Sequence, residues 1–228
     1  MERPIRVLLD AGILSNAEFA AGAVKQHVER WGGRELTVPI YGFMRKPPHN
    51  DAAYQRQVDA IFTIGRLIRQ GRIQAYKYIE IQYEVARSYR DAPICDALHG
   101  CQIETCLPAV ERTCFRGGNF LDVLMKGGKK DRKLGVRLSA LNQIPCFEWL
   151  CSLEEQQIQH IRSLRPQLIK FRGITAFDLE SLRNINWFKF LCDRSGSPEN
   201  YPDIFHLWTA ERNTLDVFLT LESVCRTS

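Results

Sequence analysis

The chain has 228 residues, 45% of them hydrophobic and 25% charged, with a net charge of +5 and eight cysteines. That length suffices for one large domain or two small ones with a real core. The composition is ordinary for a soluble globular protein. No apolar run approaches the roughly eighteen residues of a membrane span, and the small basic excess permits a polyanionic partner without requiring one.

The opening stretch, MERPIRVLLDAGILS, has an acid within its apolar run and no cleavage-site pattern. It reads against a signal peptide and for a cytoplasmic protein. Val7, Leu8 and Leu9 predict a buried strand that ends at Asp10. Residues 16–31 suit a helix stopped by Gly32-Gly33, and LTVPIYGF (36–43) reads as extended, followed by a loop at KPPHN. An amphipathic helix is expected over 51–71, with Asp51 as N-cap and Gly71 past its end. RIQAYKY is strand-like and IEIQYEVARSYR (79–90) helix-like.

Residues 91–145 differ in texture, with four cysteines and the basic run KGGKKDRK (126–133), and read as an insertion or subdomain. Residues 145–164 are helical again, a further helix precedes INWFKFLCD, and a helix opened by Asp203 leads to the short strand VFLT. Alternating strand and helix patterns at both ends of the chain favour a three-layer α/β/α fold with a central, mainly parallel sheet. The expectation is a single domain over 1–228.

In an open parallel sheet the reactive crevice lies at the carboxyl ends of the strands. Asp10, Glu80 and Glu222 each follow a strand-like run, and Asp203 stands at a helix start. Four such carboxylates would form a strongly negative pocket, which divalent cations make tolerable because like charges at close range raise one another's pKa. All-oxygen ligation with spare water positions suits Mg²⁺ or Mn²⁺. The chemistry that follows is attack of activated water on a phosphodiester. Taken singly, Asp203 is an ordinary N-cap and Asp10 an ordinary strand end.

The residues RVLLDAGIL, QAYKYIEI and PDIFHLWTAERNTLDVFLTLE resemble the PIN-domain family, nucleases that include the toxin ribonucleases of bacterial toxin–antitoxin pairs. The resemblance covers roughly 1–90 and 145–228. It implies that Asp10, Glu80 and Asp203 bind metal, that Glu222 takes the fourth acidic place and that Thr220 supports a ligand or water. Asp216 is read as structural, and His206 as a packing residue. Glu84, one helical turn after Glu80, is the alternate ligand. The chain departs from the family in following its first acid with Ala11 and Gly12, so the usual hydrogen bonds near that ligand are missing; Ser15 or Asn16 could compensate.

Cys95, His99, Cys101, Cys106 and Cys114 could ligate zinc, yet no CxxC pair is present and the spacings are irregular. Buried thiols are the default and structural Zn²⁺ the minor alternative. Lys126, Lys129, Lys130, Arg132 and Lys133, with Arg137, form a Gly-flanked basic loop that could clamp phosphate. Phe115 and Phe120 nearby could stack on bases.

The sequence therefore leads to a Mg²⁺- or Mn²⁺-dependent endoribonuclease. Its partners would be RNA, an antitoxin-like protein and, as a family expectation, a second copy in a homodimer; no membrane is implied. Two alternatives stay open. One is a catalytically weak PIN-like module that binds RNA or protein, and the other is a DNA-directed nuclease of the same fold.

Overall fold

The computed structural model describes residues 3–85, 94–111, 144–163 and 175–221. Strand β1 (Ile5–Leu9) leads into α1 (Ala11–Asn16), followed by β2 (Ala20–Trp31), β3 (Arg34–Arg45), α2 (Ala52–Arg69), β4 (Ile73–Lys77) and α3 (Ile79–Val85). Then come β5 (Ile103–Thr105), α4 (Ile144–Ser152), α5 (Glu155–Ser163), α6 (Ala176–Arg183), α7 (Ile185–Ser195), α8 (Tyr201–Arg212) and β6 (Val217–Leu219).

The fold is mixed α/β. Its central sheet has the order β5-β4-β1-β6, with β1 and β4 parallel and Ile5 opposite Ile73. Parallel strands have no hairpin to join them and need a long crossover; here it contains α2. This agrees with the α/β/α class expected from the alternating patterns. Strand β1 is short and buried, with Leu8 and Leu9 at 0% exposure, because both faces of such a strand are covered.

Packing divides the chain into two compact units. The first comprises Met1–Lys77, Ile81–Glu104 and Leu219–Ser228, and the second Tyr78–Glu80 and Thr105–Phe218. In the first, α2 starts where the Asp51 carboxylate accepts from the Ala53 and Tyr54 amides, as the sequence predicts. Gly71 follows its end at φ 69°, a conformation that favours glycine. Gly65 on α2 lets residue 97 approach so closely that an added Cβ would stand 2.5 Å from the Ala97 carbonyl oxygen. In the second unit the core is aromatic. Phe147 stacks on Phe205 with centroids 4.5 Å apart, and Phe188 on Trp208 at 4.9 Å.

Two sequence expectations are corrected. The helix read over 16–31 is instead mostly β2, paired antiparallel with β3 from Ala20 opposite Arg45 to Trp31 opposite Arg34. Gly32 and Gly33 have φ 59° and 79°. Positive φ at both central residues is what a two-residue type I′ hairpin turn requires, so these glycines turn a ribbon rather than stop a helix. The single helix read over 145–164 is broken at Leu153 and Glu154 into α4 and α5. Glu222, Cys114, Phe115, Phe120, Arg137 and the basic residues Lys126, Lys129, Lys130, Arg132 and Lys133 lie outside the described residues. Among the described residues no helix is long and apolar enough to cross a membrane.

Candidate metal centre

Asp10 is the first residue after β1 and the N-cap of α1, 9% exposed. Its backbone N–H donates to the Leu219 carbonyl at 3.0 Å, which ties the end of β1 to the end of β6. The carboxylate itself is held by three donors. Ala11 N reaches Oδ1 at 2.6 Å, Gly12 N reaches Oδ2 at 3.3 Å, and the Thr220 hydroxyl donates to Oδ2 at 2.8 Å. The small residues after the first acid are thus compensated by their own backbone amides. Asn16 does not serve the carboxylate: its Nδ2 donates to the Gly12 carbonyl at 2.9 Å and to the Tyr54 hydroxyl at 3.2 Å. Gly12 also has a packing reason, since a Cβ there would stand 3.2 Å from Asp10 Oδ2.

The first unit brings a second carboxylate to this point. A Glu84 carboxylate oxygen lies within 4.8 Å of one from Asp10. Glu84 sits near the end of α3, one turn beyond Glu80, and is half-buried. Two anionic groups at that range repel, and a cation between them relieves the repulsion. The donor set fits one. Both residues offer oxygen only, the chemistry Mg²⁺ and Mn²⁺ prefer, and three hydrogen bonds leave the Asp10 carboxylate with lone-pair capacity.

The second unit holds the remaining described acids of the expected set. Glu80, in the first turn of α3, is 1% exposed. Asp203 lies in the first turn of α8, where a carboxylate is favoured by the helix dipole, and is exposed. His206 on the same helix is fully buried, and its Nδ1 lies 2.5 Å from the Tyr78 hydroxyl. Tyr78, also fully buried, was not singled out; its only signal was its place at the end of the β4 run.

No family model, no curated protein and no solved structure matches this chain. The chemistry of the centre is read from its own geometry.

The cysteines in the described part of 91–145 are free thiols. Cys101 packs on α2, its Sγ donating to the Gly65 carbonyl at 3.3 Å and accepting from Arg69 at 3.2 Å. Burial pushes this thiol up, against the lowering influence of the Arg69 guanidinium.

Proposed function

We propose that this chain is a cytoplasmic, divalent-metal-dependent endoribonuclease. The observation that carries the reading is the Asp10 carboxylate, fixed by Ala11 N, Gly12 N and Thr220 with the Glu84 carboxylate within 4.8 Å. Asp10 and Glu84 would hold the metal, Mg²⁺ or Mn²⁺. The resemblance to PIN-domain nucleases adds Glu80, Asp203 and Glu222 to the acidic set. Bound there, the ion supplies positive charge to a scissile phosphate and lowers the pKa of water.

The chain's own part is positioning. Thr220 and the two amides hold Asp10 in one orientation, so that no reorganisation is needed when substrate arrives. The Lys126–Lys133 run supplies phosphate-binding charge, consistent with RNA as substrate. An antitoxin-like protein bearing cations is the regulatory partner this acidic centre would accept.

The test is cleavage of single-stranded RNA by purified protein with Mg²⁺ or Mn²⁺. The wild type should cleave, chelator should stop it, and Asp10→Asn should reduce the rate by at least about 100-fold, on the scale of losing a group that holds transition-state charge. A variant as fast as wild type sinks the assignment. Metal-independent RNA binding without cleavage would instead favour a binding module, and cleavage confined to DNA a nuclease of that specificity.

A further inference from the structure

The β2–β3 ribbon is unusual for a soluble surface. Its strands are 12 residues each, and in both nearly every residue beyond the base of β2 is exposed. Trp31 and Tyr41 are each 77% exposed, Met44 61%, Val24 60% and Phe43 58%. An isolated two-stranded ribbon is marginal in water, and contiguous exposed apolar residues mark interaction surfaces.

The two outer edges of the ribbon differ. Pro39 lies in the middle of β3, opposite Gln26. A proline is tolerated in a strand where its missing N–H faces away from the ladder. The outer edge of β3 therefore lacks a donor at its centre. The same alternation turns the N–H and C=O groups of Val24, Gln26, Val28 and Arg30 to the outer edge of β2, an unbroken row ready for another strand.

We propose that β2 pairs antiparallel with β2 of a second copy about a twofold axis at His27, giving a four-stranded sheet in the order β3-β2-β2-β3. Charge selects this occupant and this register. Lys25 and Glu29 lie on one face of β2 and make no ion pair among the described residues. In the His27-centred register each Lys25 stands opposite Glu29 of the other copy, twice by symmetry. The same register sets Trp31 of one copy opposite Ala23 of the other. Ala23 is paired with Gly42, and these small residues open a hollow of about 200 Å³ that Lys25, Ile40 and Met44 also line. The indole fills it.

The experiment is the mass of the full-length chain in solution, by sedimentation or light scattering at micromolar concentration. The wild type should be a dimer. Lys25→Glu and Glu29→Lys should each weaken it by about tenfold or more, since each places like charges opposite one another at two symmetric positions. Combining the two restores opposite charges, so the double variant should dimerise as the wild type does; this recovery also shows that the ribbon still folds. Trp31→Ala should weaken the dimer with its charges intact. A monomeric wild type overturns the proposal, as does a dimer indifferent to the single changes or a double variant that fails to recover. So does a ribbon whose amides gain exchange protection only when RNA or another protein is added to a monomeric chain.

Discussion

The Thr220 hydroxyl donates to Oδ2 of Asp10 at 2.8 Å, joining residues 210 positions apart in the chain. The bond fixes the carboxylate of the proposed metal ligand from the strand beside it. Thr220→Val keeps the shape and removes the donor, so Mn²⁺ affinity should fall roughly 10–100-fold, while Thr220→Ser should retain it. Titration of Mn²⁺ into each variant decides this; equal affinity in the Val variant would show that the hydroxyl does not orient a ligand.

Gly12 donates its amide to the same carboxylate oxygen at 3.3 Å. An alanine there would bring its Cβ to 3.2 Å from Asp10 Oδ2, so the carboxylate must turn or the helix start must shift. Gly12→Ala should weaken Mn²⁺ binding by about tenfold with folding nearly intact, the signature of a displaced ligand. A large drop in thermal stability with unchanged metal affinity would assign Gly12 to packing alone.

Gly65 is the converse case, a stability position away from the acids. A Cβ added there would lie 2.5 Å from the Ala97 backbone oxygen, which leaves no room for a methyl group, and backbone is not a neighbour that moves easily. Gly65→Ala should destabilise by about 1–3 kcal/mol despite alanine's better helix propensity. Denaturant unfolding measures it, and a stabilised variant would contradict the close approach.

Much of this fold can be read from the residues, and the exceptions have physical causes. Strand β1, helix α2 with its Asp51 cap, and the chain's closing helix and strand follow from burial patterns and capping chemistry that act locally. Strand β3 was legible too, as the extended run at 36–43, but β2 was not. It is exposed on both faces over most of its length, so no alternation of buried and solvated residues betrays a period of two, and its alanines suit a helix. Pairing with β3 overrides that preference, and the glycine pair that closes the turn also resembles a helix stop. At the site, Asp10 was readable from the end of the first strand, whereas Thr220 entered only through the resemblance to PIN-domain nucleases. The amides that replace the missing side-chain donors were not, because every residue has an N–H and only the N-cap geometry aims these two at a carboxylate. The nearness of Glu84 to Asp10 depends on the course of α3, which spacing alone cannot fix.

In the second unit Cys151 on α4 and Cys192 on α7 share a hydrogen bond. It holds the Cys151 thiol below the usual range, while the same bond and burial push Cys192 well above it. Thiolate is the nucleophile, so at neutral pH Cys151 should alkylate faster than Cys192 or Cys101. Cys192→Ala removes the donor, and Cys151 should then need a higher pH for the same rate. Peptide mapping after iodoacetamide treatment across a pH series gives the order; faster labelling of Cys192 would contradict it.

The most direct test of the metal centre is Mn²⁺ binding to the wild type, Asp10→Asn and Glu84→Gln, measured by calorimetry or electron paramagnetic resonance. Asparagine can still cap α1, so the fold is preserved while one ligand charge is lost. The wild type should take up Mn²⁺, and each variant should bind it at least about tenfold more weakly. Equal uptake by all three, or none by the folded wild type, would contradict a metal centre at Asp10.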